Sequence, residues 1–174
     1  MKFLTAAILS ALLCIASTCA LAADAKFDGR WMLDLQKSRN LPRPFQNVAS
    51  HQLIVNQDGN KVNVQIDITN TLPDAPKFSR LLTYVVDGEE TNTETTIRTP
   101  AGVQNIHTTI SARSKSDGGL HLIFTREQKN GEAAKKMVNT EDWELSGDAK
   151  TLIVHCENEM PDGSKAVYDL VFVR

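Results

Sequence analysis

The chain has 174 residues, with 19 basic and 21 acidic side chains and a formal net charge of −2. That is one domain's worth of sequence, and with the charges of both signs dispersed and no basic cluster it argues against nucleic acid as a partner. Only three cysteines are present.

The chain opens with Lys2, an apolar run from Phe3 to Ile15 and a small-residue stretch ending in Ala20-Leu21-Ala22. This is the plan of a cleavable secretory leader over residues 1–22, and it implies a periplasmic or secreted protein whose single domain spans 23–174. The apolar run is too short for a membrane anchor. Cys14 and Cys19 raise the alternative of lipid-linked processing, but Leu13 and Thr18 before them suit it poorly. Cys14 and Cys19 leave with the leader, so Cys156 stays without an internal disulfide partner, and its alternation with Leu152 and Val154 reads as a buried core position.

Next come Phe27, Gly29, Trp31 and Leu33, opening a strand over Arg30–Leu35. Gly29 permits a close chain approach, and Trp31 is a large rigid side chain suited to plugging one end of a barrel. The stretch Gln36 to Ser50 lacks strand character. Pro42 and Pro44 forbid a continuous helix there, leaving room for one short helix across a barrel mouth.

From there the chain reads as strands of period two: Gln52–Asn56, Val62–Ile68, Leu81–Val86, Thr93–Thr99, Val103–Ala112, Leu120–Arg126, Met137–Leu145, Leu152–Cys156 and Ala166–Val173. Turn residues separate them, among them Asp58-Gly59, Asp87-Gly88, Asp117-Gly118-Gly119, Asn130-Gly131, Ser146-Gly147-Asp148 and Pro161-Asp162-Gly163. A turn at Gly59-Asn60 sets Val55 opposite Val64 and Leu53 opposite Ile66, and one at Asn130-Gly131 sets Phe124 opposite Met137 and Leu122 opposite Asn139. Sequential antiparallel strands with one dry face shed their edges by closing, so the expected fold is all-β: an antiparallel up-and-down meander closed into a barrel of about 8–10 strands. An outer-membrane barrel needs outward apolar residues and aromatic girdles, whereas this chain has two Trp, two Tyr and a wet second face, so no stable membrane insertion is expected.

The registers turn Phe124, Met137, Asn139, Glu141 and Trp143 inward, with Leu82 or Tyr84 beside them. An apolar pocket with a few polar groups suits a small ligand. Glu141 inside a barrel requires either water at the mouth or a cation such as Arg126 or Arg98. The four histidines show no metal-ligand spacing, and no nucleophile elbow or phosphate cradle is present, so neither an enzyme nor a cofactor is expected.

Phe27-Asp28-Gly29-Arg30-Trp31 resembles the Phe-x-Gly-x-Trp opening of the calycin superfamily, which includes lipocalins, fatty-acid-binding proteins and avidins. The resemblance implies a lipocalin-like barrel in which an arginine packs on the tryptophan, here Arg174. The stretch Glu141-Asp142-Trp143-Glu144-Leu145-Ser146 to Lys150-Thr151-Leu152 is similar to exported bacterial lipocalin-like proteins. Fatty-acid-binding proteins carry Arg-x-Tyr on the last strand, where this chain has Ala166-Val167-Tyr168, and avidins line their site with several tryptophans. The implied role is to bind a small apolar ligand, with Tyr84, Phe124, Met137, Asn139, Glu141 and Trp143 as the ligand wall. A filled barrel acting as a protein-interaction module is the alternative, and an enzyme would instead show a buried His or Glu with a strongly shifted pKa in its cavity.

Overall fold

In the computed structural model, residues 27–72, 75, 77–99, 102–130 and 133–174 are described, with backbone only at 95–99, 102–104, 129–130 and 133–134. The expected leader, its cleavage point and the Arg98 side chain lie outside the described residues. Ten strands follow one another: β1 Gly29–Leu33, β2 Val48–Asp58, β3 Lys61–Asn70, β4 Phe78–Val85, β5 Thr91–Thr99, β6 Gly102–Ser114, β7 Leu120–Asn130, β8 Ala133–Leu145, β9 Thr151–Glu159 and β10 Lys165–Val173.

Strands β1 to β4 and β5 to β10 each pair antiparallel in sequence order, and β1 also pairs with β10 through Met32↔Val173 and Leu33↔Phe172, so the meander curls back on itself. Among the described residues the two remaining edges, β4 and β5, do not pair. Beside them the wall is tied by a single parallel bridge, Val86↔Ala112, with the Asp87 amide donating to the Ala112 carbonyl at 3.0 Å and the Ser114 amide to the Asp87 carboxylate at 3.0 Å. The result is a nearly closed barrel with a slit between β4 and β5.

Alternation sets the inside. His51, Leu53 and Val55 of β2, Leu82 and Tyr84 of β4, Leu152, Val154 and Cys156 of β9, and Tyr168, Leu170 and Phe172 of β10 are buried while their neighbours face out. The outer face carries polar pairs such as His121–Asp142 and His155–Asp169. Cys156 sits in the core, and burial, aided by the Glu141 charge, raises its thiol pKa. The hairpin turns expected at Asp117, Asp148 and Asp162 are each closed by the aspartate accepting an amide hydrogen bond from two residues on.

The β2–β3 hairpin has the expected register, Val55↔Val64 and Leu53↔Ile66. The β7–β8 hairpin does not: Phe124 faces Asn139, Leu122 faces Glu141 and Arg126 faces Met137. Its last pair is Asn130↔Ala133, two residues on from the expected register. A slip of two residues preserves every side chain's face, so the inward set is unaltered.

One end of the barrel, its floor, is closed by packed aromatic side chains. Trp31 is fully buried and donates its indole N–H to the Phe27 carbonyl at 2.8 Å, while Phe27 meets Trp143 edge-on at 5.9 Å. The Arg174 guanidinium lies 4.2 Å over the Trp31 ring and donates to the Asp28 carbonyl at 2.7 Å. Asp28 also accepts from the Gln57 amide, tying the start of β1 to β2. Gly29 has φ +131, a backbone conformation that an L side chain rarely adopts. Phe27, Gly29, Trp31 and Arg174 therefore meet in one closure.

At the opposite end the strands hold partly buried side chains. The segment Gln36–Ser50 first runs along β10, with Arg39 and Asp169 exchanging both backbone hydrogen bonds at 3.0 Å. It then makes one 3-10 turn, Arg43–Asn47, started by the prolines. Phe45 of that turn packs on His51 at 6.2 Å and Tyr168 at 5.6 Å, sealing the wall between β2 and β10.

Candidate functional site

Above the floor the barrel is hollow. Two adjoining compartments, of about 170 Å³ and about 220 Å³, share Ile66, Phe78, Tyr84 and Glu141 as common walls. The smaller is lined by apolar groups such as Leu53, Ile68, Leu170 and Phe172, together with His51 and Trp143. The larger is polar on one side, with Arg80, Arg126, Asn139, Asn158 and Tyr168 beside Phe124 and Met137. All six residues expected to form the ligand wall, Tyr84, Phe124, Met137, Asn139, Glu141 and Trp143, line one compartment or the other.

Glu141 has no cation partner within ion-pair distance among the described residues. Its two oxygens accept instead from neutral neighbours on the same face of β8, the Asn139 amide at 2.7 Å and the Trp143 indole N–H at 2.8 Å. Residues two apart on a strand share a face, so β8 supplies the carboxylate together with its donors. Tyr84 is deeply buried, and that burial, with the Glu141 charge adding to it, raises its phenol pKa, so the hydroxyl is neutral. The Tyr168 phenol is raised likewise, mainly by burial, and accepts from Asn158 at 3.0 Å.

The cations lie elsewhere. Arg80 reaches across the interior from β4 to lie 4.2 Å over the Phe124 ring of β7, and the Arg126 guanidinium lies 5.9 Å from the same ring. Burial and then the neighbouring Arg126 charge lower the Arg80 pKa. Neither arginine forms an ion pair or a hydrogen bond among the described residues, and the Arg126 Nε is buried without a partner, as are Asn139 Oδ1 and Asn158 Oδ1. A buried polar group without a partner costs about 1–3 kcal/mol, so orphaned atoms grouped around one cavity mark where a guest's polar atoms fit.

Sequence alone suggests Arg126 as a partner for Glu141, Tyr168 as the tyrosine of an incomplete Arg-x-Tyr pair and His51 as one of four histidines without metal spacing, and it points to neither Arg80 nor Asn158. The available signal was their place in the alternation: Arg80 stands two before Leu82, Arg126 two after Phe124, and His51 two before Leu53. Among the described residues no cluster of His, Cys, Asp and Glu could hold a metal ion.

No model of a protein family matches the sequence, and no curated protein does. Among solved structures, one titled "REP1-NXSQ fatty acid transporter" aligns over 84% of this chain and 94% of its own, at 12% identity and a TM-score of 0.42, a likeness too slight to carry an argument. The nearly closed antiparallel ten-strand barrel itself fits a lipocalin-like fold.

Proposed function

We propose that this protein is an exported, lipocalin-like barrel that binds one small amphipathic molecule, with its apolar body in the smaller compartment and an anionic group beside Arg80 and Arg126. The observation that carries this reading is the pair of guanidiniums over Phe124, facing a cavity with no carboxylate bonded to either. Two half-buried like charges facing one cavity repel each other and lose part of their solvation, so a structure keeps them at a cost unless an anion joins them. Arginine presents a planar donor fork that suits a carboxylate. Glu141 does not take that role: among the described residues it forms no ion pair with either guanidinium, and its oxygens turn to Asn139 and Trp143.

The leader over residues 1–22 supports export to the periplasm or beyond, and the Phe27 to Trp31 motif with Arg174 supports placement in the calycin superfamily. Binding is favoured over catalysis. His51 has the burial and the shifted pKa expected of a catalytic group in the cavity, yet neither ring nitrogen has a partner that would activate a nucleophile or relay a proton. A cavity in the interior likewise favours a ligand over a filled barrel that docks proteins.

Titrating decanoate into the delipidated protein, and following the fluorescence of cavity-lining Trp143, tests the reading. Saturable one-to-one binding in the micromolar range is expected. No saturable change up to the solubility of the probe would refute it.

A further inference from the structure

His51 is the group in the barrel that amphiphile binding by itself leaves unexplained. It sits on β2 at an inward position, is 7% exposed, and lines the apolar compartment. Phe172 meets its ring edge-on at 5.2 Å and Phe45 stacks against it at 6.2 Å, so both of its ring neighbours are aromatic carbon. Both ring nitrogens are buried and without a hydrogen-bond partner. A neutral imidazole has one donor and one acceptor, and leaving both unmet is costly where a leucine or phenylalanine would complete the apolar wall. The remaining orphaned atoms of the cavity, Arg126 Nε, Asn139 Oδ1 and Asn158 Oδ1, belong to the other compartment. Unmet hydrogen-bonding capacity therefore occurs at two separate places along one interior.

We infer that the ligand is bifunctional: besides the anionic group beside Arg80 and Arg126, it carries a neutral hydroxyl or carbonyl oxygen that hydrogen-bonds to His51. The ligand class is then an oxygenated acid of medium length, a hydroxy or oxo acid, in preference to a plain alkyl acid. The second group is not an anion, because Leu53, Ile68, Leu170 and Phe172 offer no counter-cation and Glu141, which also lines this compartment, would repel it. A site built to hydrogen-bond an oxygen discriminates strongly against the analogue that lacks it.

This inference rests on the barrel being a ligand site, and the test separates the two. Affinities are compared for decanoate and for its isomers bearing a hydroxyl or an oxo group at the terminal or a mid-chain carbon, using wild type, His51→Phe and His51→Leu. The expected result is at least one oxygenated isomer binding about tenfold or more tighter than decanoate to wild type. That gain, taken relative to each variant's own affinity for decanoate, should vanish in both variants. Nitrogen NMR of the His51 ring should move one ring nitrogen with the preferred isomer and neither with decanoate. Decanoate binding as tightly as every oxygenated isomer, or a gain that survives both substitutions, overturns the inference and leaves the proposed function standing. Failure of every probe to bind overturns both.

Discussion

Replacing Trp31 with alanine is expected to destabilise the protein by about 3–5 kcal/mol, a large part of a small domain's stability. The side chain is fully buried, its indole N–H satisfies the Phe27 carbonyl, and its ring is the surface on which Arg174 rests. Truncation leaves a cavity, an unpaired carbonyl and a guanidinium with nothing beneath it. Arg174→Ala should cost far less, about 0.5–1 kcal/mol, because the cation is exposed to solvent. Urea denaturation of the two variants beside wild type measures the contrast. A small loss for Trp31→Ala, or the same loss for both variants, would contradict the described floor.

Acid should weaken the fold above the range where carboxylates titrate, and His51 is the cause. Burial lowers its pKa from 6.5 to about 4. Above pH 6.5 the ring is neutral in both folded and unfolded chains, so its contribution to stability is fully present. Between pH 6.5 and 4 the unfolded chain takes up a proton that the folded one refuses, and stability falls as pH falls, by up to about 3 kcal/mol. Below about pH 4 the loss levels off. Asp34, Asp87, Asp117, Asp148 and Asp162 act in a lower window, since their folded pKa values lie below 3.8 and their contribution is lost only as pH drops through those values. Urea midpoints measured across pH 7 to 4 for wild type and His51→Leu isolate the effect, because the difference between them cancels the other histidines. The variant should lack this part of the slope, and parallel curves for the two proteins would contradict a buried neutral His51.

The barrel was legible because turn residues and period-two alternation repeat along the chain, and each is a local consequence of strand geometry. The residues that give the cavity its chemistry were harder to find, for a specific reason. The expected strands began where the apolar pattern began, at Gln52 and Leu81, whereas β2 starts at Val48 and β4 at Phe78. His51 and Arg80 lie in those missing first turns of the ladder, so neither was placed on a face. Arg126 was in view, but Glu141 was the natural partner to assign to it until Asn139 and Trp143 were found to occupy that carboxylate. The β7–β8 register was off by two because a turn dipeptide marks a reversal without fixing which two residues stand between the strands. Hollow and filled interiors share one alternation pattern, as do joined and unjoined edges. Both features depend on how distant strands meet, and so the cavity and the slit between β4 and β5 appear only in three dimensions.

The barrel is expected to select an anion through Arg80 and Arg126. Isothermal calorimetry of decanoate, decanol and decylamine, with wild type and the Arg80→Gln/Arg126→Gln double variant, tests it most directly. Decanoate should bind wild type about tenfold or more tighter than decanol, with decylamine weakest, and the double variant should bind the acid and the alcohol alike. Equal affinities of wild type for decanoate and decanol, or a preference for the amine, would contradict the account.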